Sequence, residues 1–171
     1  MKKNKIVIVI ASKDFRDEEY FITKEVLEEK GFIVKTSSND KKAIGRFGNE
    51  ANVNLLIEDI NSNNFDAIIF AGGSGAIEYI DNKLSYNLCN DFINKGKVVG
   101  AICIAPTILA KAGVLKGKKV TVFPSGKKII EENGGKYQKE TVVIDVKIIT
   151  GENADSSKEF GESIAKVLTN Y

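Results

Sequence analysis

The sequence predicts an α/β fold in which a mostly parallel sheet carries helices on both faces. Apolar runs of strand length occupy residues 6–11 and 98–102, and residues 65–70 are apolar apart from Asp66; such runs are typical of parallel strands that are buried on both faces. Amphipathic segments separate these runs, which gives the alternation of strands and helices expected of this class. With 171 residues the chain is long enough for one full core, so residues 1–171 are expected to form a single domain.

The first half of the chain alternates apolar and amphipathic segments. Tyr20 and Val26 lie among acids and lysines in residues 17–30, which predicts an amphipathic helix that Gly31 ends. Residues 41–54 are polar and contain two glycines, which predicts a loop or a hairpin. The other elements predicted here are strands at 6–11, 32–36 and 65–70 and a short helical turn at 57–60.

The second half continues the same alternation. Pro106 suits the first turn of a helix, because its missing N–H would have no partner there, and Gly113 ends that helix. Residues 141–145 and 146–150 predict two strands that are joined near Asp145. The other predicted elements are helices at 83–94, 107–112, 126–133 and 157–168 and strands at 98–102 and 119–123.

Cys103 lies where a buried strand ends and a helix begins, and it is the strongest candidate for a catalytic residue. Free backbone N–H groups and the positive end of a helix dipole favour a thiolate at such a place, so we expect a lowered pKa and a nucleophilic sulfur. The alternative is a small apolar residue inside a strand. Cys89 lies beside the apolar face of a predicted helix and is expected to be a core residue.

Composition excludes several classes of function. Hydrophobic residues make up 43% of the chain, charged residues 28%, and the formal net charge is +2, which is typical of a soluble globular protein and indicates neither nucleic acid nor a membrane as a partner. The two cysteines lack metal-ligand spacing, so we expect no metal site and reduced thiols in a cytoplasmic protein. The chain has no histidine, which excludes a Cys–His dyad and a Ser–His–Asp triad.

Two further strand ends carry residues that could act with Cys103, because sites in such sheets form outside the carboxyl ends of strands. Glu18 and Glu19 open the first predicted helix, where carboxylates can simply complement the helix dipole. Gly72 and Gly73 follow a buried strand; they fit a plain turn, and they also allow backbone N–H groups to converge on an anion.

Together these segments resemble the ThiJ/PfpI family of the class I glutamine amidotransferase-like superfamily, which includes PfpI-type intracellular peptidases and the Parkinson-associated deglycase. The resemblance covers residues 6–168 and is carried by four segments: Phe15-Arg16-Asp17-Glu18-Glu19, Phe70-Ala71-Gly72-Gly73, Ala101-Ile102-Cys103-Ile104-Ala105-Pro106 and Leu115-Lys116-Gly117-Lys118-Lys119-Val120-Thr121. It implies a flavodoxin-like, doubly wound fold, a homodimer or larger homo-oligomer, and no cofactor.

The resemblance also implies roles for particular residues. Cys103 matches the family nucleophile on a strained elbow, and Glu19, rather than Glu18, matches the acid that hydrogen-bonds its sulfur. A carboxyl group beside a thiolate should hold a proton. The backbone N–H groups of Gly73 and Ile104 match the oxyanion hole. Gly72 and Pro106 are expected to support this arrangement.

The chain departs from the family pattern where histidines are expected. Ile104 follows the nucleophile where the peptidases have histidine, and Phe123 stands where the deglycase branch has one. A glutamate that the peptidases take from a neighbouring subunit aligns with Ile77, next to Glu78. We therefore expect a stress-response glyoxalase or deglycase acting on reactive carbonyls or their protein adducts. The alternatives are a cysteine peptidase or amidase, which the absence of histidine disfavours, and a non-enzymatic redox sensor or chaperone.

Overall fold

A seven-stranded sheet forms the centre of the molecule in the computed structural model, which describes residues 4–170. Two smaller sheets, of three and two strands, lie outside it. The strands are β1 (Lys5–Val9), β2 (Lys13–Phe15), β3 (Ile33–Ser38), β4 (Lys42–Gly45), β5 (Glu50–Asn52), β6 (Leu55–Leu56), β7 (Ala67–Phe70), β8 (Val98–Ile102), β9 (Lys119–Val120), β10 (Lys136–Tyr137), β11 (Val142–Asp145) and β12 (Ile148–Gly151).

The central sheet has the order β11-β12-β8-β7-β1-β3-β6, and only the β11–β12 pair is antiparallel. This confirms the predicted mostly parallel, flavodoxin-like sheet. β7 and β8 are completely buried and β1 is buried beyond its first residue, as their continuous apolar sequences predicted. The carboxyl ends of β1, β7 and β8 are neighbours in the sheet, so the segments that follow them meet at one edge.

Helices cover both faces of this sheet, as predicted. They are α1 (Asp17–Glu29), α2 (Ile77–Ile80), α3 (Lys83–Asn94), α4 (Pro106–Lys111), α5 (Lys127–Glu132) and α6 (Ser157–Thr169). α1 packs closely on α6, where a Cβ added to Gly161 would lie 3.1 Å from Val26. α3 packs against α4 and against strands β7 and β8. No helix among residues 4–170 is long and apolar enough to cross a membrane.

Two segments refine the sequence-based expectations. Residues 41–54 form a hairpin of β4 and β5, which pairs with β2 in the three-stranded sheet. The strand expected at 119–123 is only two residues long, β9, and it pairs with β10 outside the central sheet. It ends early because the following N–H groups are used elsewhere: Thr121 donates to the Thr150 hydroxyl at 2.9 Å, and Phe123 donates to the Cys103 carbonyl at 2.8 Å.

Candidate active site

Cys103 forms a backbone elbow between β8 and α4. Its φ of +64° lies in the left-handed region, which is costly for a residue with a side chain. Two long-range hydrogen bonds hold this conformation: Cys103 N–H donates to the Gly151 carbonyl at 2.9 Å, and Phe123 N–H donates to the Cys103 carbonyl at 2.8 Å. Pro106 occupies the first turn of α4, where it was expected. The neighbouring elements therefore fix the direction in which the sulfur points.

Glu19 approaches this elbow from the first turn of α1. Its side chain is 1% exposed, and its Oε2 accepts a 2.7 Å hydrogen bond from the Gly72 N–H. Glu18, one residue earlier, points to the surface and forms a 2.7 Å ion pair with Arg16. The structure thus places Glu19, and not Glu18, beside Cys103, and its second carboxyl oxygen, Oε1, is buried without a hydrogen-bond partner among the described residues.

Gly72 and Gly73 allow these groups to approach each other. A Cβ at Gly72 would lie 2.7 Å from the Glu19 carboxyl and 2.8 Å from the Cys103 Cβ, so no side chain fits there. Gly73 has a φ of +97°, and a Cβ there would collide with the backbone of Arg16. The N–H groups of Gly73 and Ile104 lie close enough to the Cys103 sulfur to lower the pKa of its thiol. The three strand ends singled out in the sequence therefore meet at one point.

The protonation of the Glu19–Cys103 pair differs from the sequence-based expectation. Burial raises the pKa of the Glu19 carboxyl from 4.5 to about 7. Burial, followed by the charge of Glu19, raises the pKa of the Cys103 thiol to about 12, despite the hydrogen bonds from Ile104 and Gly73. The expected lowering of this thiol pKa by a helix N-terminus is therefore wrong, because desolvation and a carboxylate outweigh the backbone donors. Near neutral pH the Cys103 thiol therefore keeps its proton, while the Glu19 carboxyl is partly ionised.

These two protonation states define what the pair can do. A carboxylate whose pKa is about 7 can accept the thiol proton as the sulfur attacks, and can return it later. A carboxyl group with this pKa can take the chemical role that histidine fills in other cysteine enzymes. Cys89, in contrast, is fully buried in the core as predicted, and burial raises the pKa of its thiol to about 12.

A cavity of about 470 Å³ opens onto Cys103 and Glu19. Ile104 and Phe123 give it an apolar side where family histidines were expected, and Phe123 is 42% exposed. Its lining residues are Arg16, Glu19, Arg46, Gly73, Ser74, Cys103, Ile104, Phe123, Ser125, Asn153, Ala154 and Asp155. Within residues 4–170, no group of three or more histidine, cysteine or acidic side chains is arranged to hold a metal ion.

Sequence reasoning missed the polar rim of this cavity. Arg46 belongs to the β4–β5 turn, and Asn153 and Asp155 follow β12. The second group could have been found from the sheet order, since β12 lies beside β8 and its carboxyl end must lie near Cys103. No sequence signal marks Arg46 as a neighbour of the cysteine.

Comparison with known proteins agrees with this geometry. The family model described as the DJ-1/PfpI family matches residues 4–167. The chain belongs to the DJ-1/PfpI family. The resemblance to ThiJ/PfpI proteins drawn from the sequence is therefore confirmed. Ile77, aligned with the glutamate that peptidases of the family take from a neighbouring subunit, is 70% exposed.

Relatives within the DJ-1/PfpI family carry different names. An uncharacterized protein of Methanocaldococcus jannaschii is 41% identical, over 98% of this chain and 84% of its own length. A deglycase of Pyrococcus abyssi is 31% identical, over 81% of this chain and 84% of its own length. YraA of Bacillus subtilis, named provisionally as a cysteine protease, is 26% identical over 96% of this chain and 99% of its own length.

Solved structures of the family have the same fold. A ThiJ/PfpI domain protein from Brachyspira murdochii superposes with a TM-score of 0.97 at 31% identity, covering 100% of this chain and 99% of its own. DJ-1beta of Drosophila melanogaster superposes with a TM-score of 0.90 at 26% identity, covering 99% and 92%. The family thus includes deglycases and proteins named as proteases on one backbone, so the reaction must be argued from the site.

Proposed function

We propose that this protein is a cysteine-dependent glyoxalase or deglycase that acts on small reactive carbonyls or on their adducts with proteins. The observation that carries the proposal is the pairing of Cys103, on its elbow, with the buried Glu19 carboxyl beside a cavity of about 470 Å³. The deglycase of Pyrococcus abyssi supports the reaction class.

The first step uses Glu19 as a base. Its carboxylate accepts the thiol proton while the Cys103 sulfur forms a bond to the aldehyde carbon of an α-oxoaldehyde. The carbonyl electron pair moves onto oxygen, which then takes that proton and gives a neutral hemithioacetal. The N–H groups of Gly73 and Ile104, which lie beside the sulfur, stabilise the oxyanion that develops in this step.

The second step moves a proton between carbons. Glu19 removes the proton from the sulfur-bearing carbon, which leaves an enediolate, and returns this proton to the adjacent carbon, while the hydroxyl proton of the sulfur-bearing carbon passes to the neighbouring oxygen. This produces a thioester of an α-hydroxy acid, which water releases. The aldehyde carbon is oxidised while its neighbour is reduced, so no external oxidant or reductant is required. Hydrolysis of the thioester consumes one water molecule and returns the Cys103 thiol.

Conversion of methylglyoxal to lactate tests this proposal. Cys103→Ser should reduce kcat/KM by at least about a thousandfold, because it removes the nucleophile, and Cys89→Ser is the matched control at the buried cysteine. Turnover that survives in Cys103→Ser contradicts the proposal. Oxidation of Cys103 to a sulfinate without any turnover of carbonyls would instead support a non-enzymatic redox sensor or chaperone.

A cysteine peptidase or amidase is the second candidate, favoured by the provisional name of YraA. The absence of histidine and the apolar Ile104 and Phe123 beside the sulfur disfavour it. Cleavage of peptide substrates that depends on Cys103 would establish it. Ile104→His is the informative converse, because it restores the side chain that peptidases of the family have at this position.

We further propose a cytoplasmic location and a role in stress response. Both Cys89 and Cys103 are free thiols, which suits a reducing compartment. Fractionation of cells, with and without a methylglyoxal challenge, tests both proposals. Recovery of the protein outside the cytoplasmic fraction, or equal survival of cells that lack it, would contradict them.

A further inference from the structure

Arg46 brings an uncompensated positive charge to the cavity of Cys103. It lies in the turn between β4 and β5, is exposed, and lines the cavity. Its guanidinium forms no ion pair or hydrogen bond with another of residues 4–170. The other arginine of the cavity, Arg16, is matched by Glu18 at 2.7 Å. Of the two guanidinium groups, only that of Arg46 is therefore free to bind an anion.

The turn that carries Arg46 is held by a buried carboxylate. Asp17 is 5% exposed and accepts hydrogen bonds from the Phe47 N–H at 3.0 Å and the Asn49 side chain at 2.8 Å. Gly45 lies so close to this carboxylate that a Cβ would overlap it. The Arg46 N–H donates to the Phe15 carbonyl at 2.9 Å. The backbone of Arg46 is thus fixed relative to the strand that leads into α1.

We propose that Arg46 selects carbonyl substrates that carry a carboxylate, so that its guanidinium binds the carboxylate while Cys103 attacks the carbonyl. This inference rests on the proposed function for the reaction, but the charge selectivity stands on the cavity alone. A guanidinium presents two parallel N–H donors that match a carboxylate. The apolar Ile104 and Phe123 suit the methylene chain between the two groups. Asp155 lines the same cavity, and its negative charge repels a bound anion, so it weakens the selectivity that Arg46 provides.

Two alkylating reagents measure this selectivity without turnover. Iodoacetate and iodoacetamide are nearly the same size and differ in charge; in both, the Cys103 thiolate forms a C–S bond as the C–I bond breaks and iodide leaves. The measured quantity is the rate at which iodoacetate alkylates Cys103 divided by the rate for iodoacetamide. This ratio is then divided by the same ratio measured for N-acetylcysteine. We expect Arg46→Gln to lower this ratio by about two- to fivefold, as for a partly exposed ion pair, and Asp155→Asn to raise it.

Lys42→Gln is the matched control for the alkylation test. Lys42 is an exposed cation of β4 that does not line the cavity, so its removal changes the charge of the hairpin and leaves the cavity unchanged. Mass mapping of the alkylated peptides separates Cys103 from Cys89. An unchanged ratio in Arg46→Gln, or an equal fall in Lys42→Gln, would overturn the inference.

A turnover measurement separates this inference from the proposed function. We expect the ratio of kcat/KM for γ,δ-dioxovalerate to that for its uncharged methyl ester to fall in Arg46→Gln and to stay at the wild-type value in Lys42→Gln. If the wild type turns over the acid and its methyl ester equally well, the proposed role of Arg46 is overturned while the proposed reaction stands. Absence of any α-oxoaldehyde turnover, with the iodoacetate preference intact, overturns the proposed reaction and supports the anion selectivity of the cavity.

Discussion

Glu19 combines two properties that a surface glutamate cannot have together. It is buried, which raises the pKa of its carboxyl to about 7, and it lies beside the thiol that it must deprotonate. Its first-turn position on α1 would otherwise complement the helix dipole, as Glu18 does at the surface in its ion pair with Arg16. A difference of one residue thus separates a carboxylate in a surface ion pair from the carboxylate that we propose as the general base.

Glu19→Gln tests this role directly. The amide cannot accept the thiol proton, so kcat/KM for methylglyoxal should fall by about a hundredfold or more. The same change removes a negative charge beside the sulfur, so the pKa of the Cys103 thiol should fall below about 12. Ultraviolet absorbance of the thiolate against pH, in a Cys89→Ser background, measures it. A larger effect of Glu18→Gln on kcat/KM or on the thiol pKa would show that Glu18, and not Glu19, has this role.

The pH dependence of catalysis follows from the same carboxyl group. Glu19 must be ionised to accept the thiol proton, and its pKa is about 7. We therefore expect kcat/KM to rise with pH through about 7 and to reach a plateau above it. The rate of methylglyoxal turnover across this range, with circular dichroism to show that the fold is unchanged, provides the measurement. A profile that falls with rising pH through 7 would contradict this role.

The turn after β7 sets the distance between the two catalytic elements. Gly72→Ala places a Cβ 2.7 Å from the Glu19 carboxyl and 2.8 Å from the Cys103 Cβ, so one of them must move. We expect a loss of stability of about 1–3 kcal/mol in urea unfolding and loss of methylglyoxal turnover. Gly31→Ala is the control: it costs about 1 kcal/mol through its positive φ, meets no atom within 4 Å, and should leave turnover unchanged. Wild-type activity in Gly72→Ala would contradict the close approach.

Burial of Glu19 has a consequence for the stability of the whole molecule. A raised pKa means that the folded state binds the proton more tightly; this stabilisation is complete below the ordinary value of 4.5 and is lost as pH rises through about 7. Glu19→Gln, always uncharged, should therefore be more stable than the wild type above pH 7, by up to about 3 kcal/mol. Urea unfolding at acidic and alkaline pH measures the difference, and a variant equally destabilised at both would contradict the assignment.

We also propose that the molecule assembles as a homodimer or larger homo-oligomer. Ile77, Val146 and Phe47 are 70%, 61% and 59% exposed, and they are the side chains that we expect association to cover. Light scattering should give a multiple of 18.7 kDa. A mass equal to one chain at micromolar concentration would refute this expectation.

The sequence was sufficient for the sheet and for the centre of the site. Apolar runs identify the buried strands, and Cys103, Gly72 and Gly73 are recognisable because each follows a strand end, whereas only the family resemblance distinguishes Glu19 from Glu18. The protonation state was not predictable, since the pKa of Cys103 depends on how deeply it and Glu19 are buried together. Arg46 was not predictable either, because the packing of its hairpin against the cavity depends on tertiary contacts of Asp17.

The two hydrogen bonds that hold the Cys103 elbow also determine when the nucleophile can form. Cys103 forms these bonds with Gly151 and Phe123, which are both synthesised after it. Gly151 lies on β12, the strand that completes the parallel part of the sheet. A left-handed backbone costs about 1–2 kcal/mol and reverts without such support. The elbow that orients the Cys103 sulfur is therefore complete only once β12, the last of the described strands, has been synthesised.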